Sequence, residues 1–567
     1  MTIDDQTTAS DATDPSDARS AGRPLWLVPP FVVGVALRLV GLGRQVISGD
    51  ELHAVRAAIT SDFPGLLYTY QLTDHCLPLS SAYRAATLVG LPLSETLLRL
   101  PVVLAGLAVL GLAPLWCARE LGRRTALSLA WWLAVSPTLF YYGRIIRSYM
   151  PIVLLGCITV ACFISWIRRR RLRDAVGYVA AAALAIYFHP VAAPFVGAPL
   201  VWLAAAQLAR VRDLPRFRST LAVGAGLAAA LALFLVPAAP SLLALVQDKR
   251  VDSHLTLGTF AAVGTLQAGT ANPWLVGAFW LLAAIGLVTL VVRAPRLGTL
   301  GAALVVLQIA GLVVLSPLAM EQPNILNRYL LITLPVVLVW VAHGLDVAVL
   351  GRLDRLGRIG RGGATAVTVA LPALFFAAGP LLDPAFVPGS FAHRAEFTAF
   401  YREHRRKGAI ELPEAYRWLA DRRAGPILEL PYPPMWRYAT IFPRYQEAHG
   451  REVVVCYGDR TLWDPRIRMR NAAPPEPEHL LASRASWLVL HPELAAEEAG
   501  GDRGRVAPDS PAGRDRARRS RILGRMEDVT RDLERTLRRS WGPPDLATDQ
   551  HVVWDLDRVR SAARLSR

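Results

Sequence analysis

Two adjacent carboxylates, Asp50 and Glu51, stand just past the first long apolar segment, in the run Gly49-Asp50-Glu51-Leu52-His53. About 20 apolar residues suffice to cross a bilayer, so the residues that follow emerge at an aqueous face. Carboxylates there can serve a substrate whose body lies in lipid and whose reactive head lies at the surface. One can take a proton as a general base, or bind a divalent metal. The plain structural reading is an acidic pair that only marks the interface. The functional reading is preferred because further polar groups fall on the same face.

The first of these is Tyr141-Tyr142-Gly143-Arg144-Ile145-Ile146-Arg147-Ser148-Tyr149. An aromatic belt with snorkelling arginines is the bland account. Against it, arginines are disfavoured on the outer side, whereas paired guanidinium groups suit a phosphate. Asn327-Arg328-Tyr329 repeats the arginine-plus-tyrosine theme, with Glu321 nearby as a salt-bridge partner. His189, in Tyr187-Phe188-His189-Pro190, stands at another outer helix end. A lone histidine there is more often structural than chemical.

The elements that must position these groups are membrane helices. The chain has 567 residues, 53% of them hydrophobic and 19% charged, which is poorer in charge than a soluble domain. Apolar segments fall near 25–43, 97–116, 125–142, 150–167, 175–189, 191–209, 220–238, 274–292, 299–319, 329–347 and 364–382. These predict about eleven transmembrane helices. Arginine clusters occupy every second connection, from Arg119–Arg124 and the RRRRLR run at 168–173 through Arg210–Arg218 and Arg293–Arg296 to Arg352–Arg361. That side is expected to be cytoplasmic. The N-terminus then lies in the cytoplasm, and an odd helix count puts the C-terminal region outside. The formal charge of +17 resides in these loops and not on one soluble face, so no nucleic-acid partner is expected.

The division expected is a disordered tail at 1–24, a transmembrane part at 25–382 with an outer loop at 44–96, and an extracytoplasmic soluble α/β domain at 383–567. The outer loop is broken by Pro64, Pro78 and Pro92 and reads as short interfacial helices. Strand-like runs appear at Pro426–Tyr432, Glu452–Tyr457, Ser486–His491 and His551–Leu556, and helical patterns near 410–422 and 513–540. Glu429, His449, Tyr457 and His491 read mainly as domain structure. The five cysteines form no metal-spaced pair; Cys76 and Cys456 could bridge, but a free pair is the expectation. No P-loop, dinucleotide fingerprint, HExxH or GxSxG context occurs.

With these residues in view, the chain resembles the GT-C class of integral-membrane glycosyltransferases. The acidic pair in the first outer loop is similar to that class's signature. The stretch from His75 through Pro78, Tyr83, Ser94, Glu95, Arg99 and Pro101 resembles its H-x-P-L-Y … S-E … L-R-L-P run. SPTLFYYGRIIRSYM resembles its S-P … Y-S-R-E-x-R-x-Y segment, with Ile145 where an acid is common. YFHP and NRYLL resemble two of its helix ends. The likeness covers roughly 25–345, and bacterial dolichyl-phosphate-mannose–protein mannosyltransferases and lipopolysaccharide-core transferases look nearest.

The resemblance implies a multi-pass enzyme of the inner (plasma) membrane. It would move a sugar from a polyprenyl-phosphate donor to an acceptor hydroxyl on a protein, lipid or polysaccharide. Asp50 would be the general base and Glu51 its partner or alternate. Arg144, Arg147 and Arg328 would face the donor phosphate, and His53, His75, Tyr149, His189 and Tyr329 would contact substrate. The resemblance implies no certain cofactor, although the carboxylates could take a divalent metal. The competing readings are a lipid-sugar or polysaccharide transporter and a non-catalytic scaffold of envelope biogenesis.

Overall fold

A computed structural model describes residues 24–40, 42, 51, 54, 57–58, 62–70, 77–91, 95–249, 255–317, 320–379, 413–430, 453–454, 476–483, 485–492 and 527–565. The tail at 1–23, Asp50, His53, His75, Cys76, His449, Cys456 and Tyr457 lie outside these residues. The chain is a multi-pass helical membrane protein carrying a C-terminal α/β region. Among the described residues, seven helices are long and apolar enough to cross a bilayer: Thr96–Leu121, Tyr149–Arg169, Pro190–Leu208, Phe217–Leu235, Pro273–Arg293, Pro295–Leu315 and Pro323–Leu353.

The other four expected spans are helical too, but shorter or broken. Leu25–Leu39 and Gly362–Ala377 are short apolar helices. Leu172–Phe188 has 17 residues. The expected span at 125–142 divides into Arg123–Val135 and Pro137–Tyr142. Its break has a chemical cause. Pro137 has no N–H, so the Leu133 carbonyl loses its helical donor. The buried Arg38 guanidinium, from the first span, donates to Leu133 O at 3.0 Å and Ala134 O at 3.3 Å instead. Apolar periodicity could not reveal this brace, although an arginine inside a span pointed to some partner.

Proline also sets several helix starts. Pro273, Pro295 and Pro323 each occupy a first-turn position, where a missing N–H costs nothing. Glycine sets one close crossing. A Cβ at Gly286 would lie 1.9 Å from Trp340 O, and one at Gly344 would lie 2.0 Å from Leu282 O. Helices Pro273–Arg293 and Leu334–Leu345 therefore touch backbone to backbone, as small residues permit in lipid.

The arginine connections gather at one end of the bundle. Arg168 pairs with Glu120 at 2.6 Å, Arg124 approaches Asp346 at 3.9 Å, and Arg296 approaches Asp213 at 3.7 Å. Arg170 donates to Asp213 O at 2.7 Å. At the opposite end, the expected outer loop forms the helices Phe63–Tyr68 and Leu77–Leu88. Tyr70 donates to Tyr187 O at 2.9 Å and Tyr187 donates to Leu67 O at 2.7 Å, tying this loop to the helix that ends at His189. The connection between helices Phe217–Leu235 and Pro273–Arg293 holds two further helices, Ala239–Lys249 and Leu257–Ala268.

In the C-terminal region, five strands among the described residues form one sheet in the order β2-β1-β3-β5-β4. They are β1 Ile427–Leu430, β2 Val453–Val454, β3 Trp487–Leu490, β4 Leu546–Ala547 and β5 Val552–Asp555. β1 lies parallel to β2 and β3, whereas β5 runs antiparallel to β3 and β4. Alternation along the strands builds two faces. Leu428, Leu488, Leu490 and Trp554 pack with Leu533 and Leu537 on one side. Ile427, Trp487, Val489 and Val553 pack with Ala415 and Leu419 on the other. The four strand-like runs of the sequence contain β1, β2, β3 and β5. The two-residue β4 was missed because it is too short to show a period.

Candidate active site

The candidate site is assembled at the bundle end opposite the arginine connections. Its framework is an ion pair buried on both sides. Arg99 Nη2 lies 3.3 Å from each oxygen of Glu51. Glu51 is 3% exposed and Arg99 fully buried. Glu51 Oε1 also accepts from the Ile146 N–H at 3.0 Å. That amide belongs to the turn between Pro137–Tyr142 and Tyr149–Arg169, so it has no helical acceptor of its own. One carboxylate thus joins the first outer loop, the start of helix Glu95–Leu121 and the arginine turn. Ile145, the departure from the family pattern, packs into the apolar core.

Arg144 is fully buried within that turn. Its Nη1 donates to Val40 O at 2.9 Å, at the end of the first span. Among the described residues its Nε and Nη2 have no hydrogen-bond acceptor. Arg99 and Glu51 both lie within its electrostatic reach. Buried N–H groups of a charged side chain are costly without partners, and an anionic oxygen removes that cost.

Arg147 turns to an aromatic group. Its guanidinium lies 5.9 Å from the Tyr149 ring centre, and Arg328 lies 5.7 Å from the same ring and 5.3 Å from that of Tyr329. His189 completes the cluster, 5.8 Å from Tyr149 and 6.1 Å from Tyr329 between ring centres. Tyr142 stands edge-on to Tyr149 at 5.4 Å. Cation–π contacts of this kind hold a guanidinium in place without neutralising it.

The position of His189 follows from its neighbour. A residue before proline is driven to extended backbone, and His189 has φ −161° and ψ 114°. Helix Leu172–Phe188 therefore ends there. His189 Nδ1 accepts from Val191 N–H at 3.3 Å, which leaves Nε2 as the protonated nitrogen of the neutral ring. Gln308, wholly buried in helix Pro295–Leu315, braces this break. It donates to Val191 O at 3.0 Å and Tyr329 O at 3.1 Å, and accepts from Phe195 N–H at 3.0 Å. One amide inside the bilayer thereby fixes both the His189 and Tyr329 segments.

Glu51, Arg144, Arg147, Tyr149, His189, Arg328 and Tyr329 thus come together from elements far apart in the chain. Asp50, His53 and His75 lie outside the described residues. Sequence reading missed Gln308 and the amide of Ile146, and gave Arg99 only as a motif match. A polar side chain within an apolar span was the available signal for Gln308 and Arg99. Among the described residues, no three His, Cys, Asp or Glu side chains form a group that could hold a metal ion. Glu51 is held by Arg99 and the Ile146 amide.

No family model matches the chain, and no curated protein matches it. Among solved structures it is similar to ArnT from Cupriavidus metallidurans in the apo state, at 16% identity and TM-score 0.44, covering 84% of this chain and 95% of that one. The same protein bound to undecaprenyl phosphate gives 15% identity and TM-score 0.45, covering 85% and 95%. The arabinofuranosyltransferase AftD from Mycobacteria gives 20% identity and TM-score 0.43, covering 83% of this chain and 37% of that one. These are GT-C glycosyltransferases, the class whose motifs the sequence resembles. Likeness at this level carries no argument about chemistry, which rests on the site itself.

Proposed function

We propose that the chain is a membrane glycosyltransferase that moves a sugar from a polyprenyl-phosphate donor to an acceptor hydroxyl. The reaction would occur at the aqueous face opposite the arginine connections, with those connections in the cytoplasm and the C-terminal region outside. The observation that carries this reading is a buried cation whose hydrogen bonding is incomplete. Arg144 is fully buried, and among the described residues its Nε and Nη2 have no acceptor. A phosphate at the end of a lipid supplies a negative charge and acceptor oxygens there.

In this reading the acceptor oxygen attacks the anomeric carbon while the bond from that carbon to the phosphate oxygen breaks. Asp50, next to Glu51 in the chain, takes the hydroxyl proton. The lipid phosphate leaves with the electron pair, and Arg144, Arg147 and Arg328 stabilise its growing charge. Glu51 ties the start of helix Glu95–Leu121 to the arginine turn, through Arg99 and the Ile146 amide. His53, His75, Tyr149, His189 and Tyr329 are assigned to the sugar and acceptor.

The test is transfer of labelled sugar from a panel of polyprenyl-phosphate sugars, in membranes holding wild type or Asp50→Asn. Transfer from one donor, lowered roughly 10²–10⁴-fold in the variant, is expected for loss of a general base. Full transfer by a folded Asp50→Asn protein would remove the base assignment. No transfer by folded wild type from any donor, with native membrane acceptors present, would favour the transporter or scaffold.

A further inference from the structure

We infer that the arginine-rich end of the bundle contains a binding site for an anionic phospholipid of the adjoining leaflet. A cavity of about 540 Å³ lies there between helices Glu95–Leu121, Tyr149–Arg169, Pro295–Leu315 and Leu334–Leu345. Its walls are apolar, with Val160, Leu304 and Val336 prominent, and its inner end is formed by Gly156 and Ile332. Arg119, Arg168, Arg169 and Arg173 line the other end, with Glu120 and Asp174.

Length and charge both select the occupant. Gly156 and Arg169 are 169 − 156 = 13 residues apart on one helix, so the cavity is about 20 Å deep at 1.5 Å per residue. One leaflet is about 15 Å of hydrocarbon, half of the ~30 Å core, to which a headgroup adds. A single acyl chain with its phosphate outside therefore fits. The inner end is shut: a Cβ on Gly156 would already lie 2.8 Å from Ile332. The cavity thus stops below the candidate active site, and a donor whose phosphate lies there does not share it.

At the charged end, Glu120 is matched by Arg168 at 2.6 Å, and Asp174 accepts from Ser165 at 2.9 Å with Arg173 at 3.8 Å. Among the described residues Arg119 and Arg169 form no ion pair, so two positive charges are in excess. Water does not fill such a space well, because apolar walls offer it no hydrogen bonds, and an empty void forfeits dispersion contacts. A chain fills the apolar length, and a headgroup phosphate meets the free guanidinium groups.

The test uses the full chain purified in a neutral detergent. Phosphatidylglycerol, phosphatidylcholine or inorganic phosphate is added, and the thermal unfolding midpoint and the bound lipid mass are measured. Phosphatidylglycerol alone is expected to raise the midpoint and remain bound. The exposed pair Arg119→Gln with Arg169→Gln, and separately the space-filling Val160→Phe, are each expected to weaken its retention by roughly tenfold. Equal stabilisation by phosphatidylcholine would overturn selectivity for an anionic lipid. Equal stabilisation by inorganic phosphate would leave only a free-anion site. Undiminished retention in both variants would place the lipid elsewhere and end the proposal. Sugar transfer plays no part in the readout, so this inference and the proposed reaction can fail separately.

Discussion

The two ends of the helical bundle are both rich in arginine, yet they use it oppositely. At one end Arg124, Arg168 and Arg173 have side chains 54%, 52% and 70% exposed, and their acidic partners are partly buried. At the other end Arg99, Arg144 and Arg147 are buried, among one carboxylate, carbonyl oxygens and tyrosine rings. Exposed guanidinium groups mark orientation and are screened by water. Buried ones are already stripped of solvent, so each must be satisfied by the protein or by a ligand. Residue type is the same at both ends, and burial decides the role.

The difference is tested most severely at the Glu51–Arg99 pair. Removing one member leaves a buried charge alone. Glu51→Leu is expected to cost about 3–5 kcal/mol, seen as a lowered unfolding midpoint in detergent. Glu51→Leu with Arg99→Leu should recover much of that stability without recovering transfer, because the Ile146 amide stays unanchored. A single variant as stable as wild type would show that the pair is solvated after all.

A third setting sharpens the contrast, since burial can also keep a group neutral. Beside the C-terminal sheet Tyr416, Glu429, His491 and His551 are packed together, with Tyr416 donating to Glu429 at 3.1 Å and the two imidazoles 4.9 Å apart. Burial pushes His551 down to about 4 and His491 well below the usual histidine range. A histidine with a folded pKa below its unfolded value of about 6.5 binds its proton mainly after unfolding. Its neutral form favours the fold above about pH 6.5, and that contribution is lost as pH falls towards 4. For His551 alone the loss is about 3 kcal/mol. Unfolding followed by tryptophan fluorescence at pH 7 and 4.5 should show it, and His551→Phe should flatten the dependence. Equal stability at both values would contradict a neutral buried pair.

The smallest effect is expected at the solvated end. Arg124→Gln removes a half-exposed charge 3.9 Å from Asp346 and should change stability by less than about 1 kcal/mol with transfer unaltered. A loss as large as that at Glu51 would erase the distinction between the ends.

Much of this architecture was legible without coordinates. All eleven apolar runs fall on helices, and seven of these are, among the described residues, long and apolar enough to cross, because a bilayer imposes length and composition on each span separately. Arginine alternation sorted the connections for the same local reason. The tyrosine-arginine turn, His189-Pro190 and Asn327-Arg328-Tyr329 were each recognisable as polar groups at span ends. What stayed hidden were the partners. Nothing in the spacing of Glu51, Arg99 and Ile146 says that one carboxylate serves both of the others. Arg38 and Gln308 were not singled out, because their partners are backbone groups on other helices.

The amino-acid sequence by itself determined the spans, their alternation and the end where polar chemistry collects, because these depend on local hydropathy and charge. Only tertiary structure decided that Glu51 is a buried brace, that two N–H groups of Arg144 have no acceptor among the described residues and that Gln308 ties two broken helices together. Those facts depend on which helices touch, and contact across the bundle is set by shape and packing that no single segment encodes.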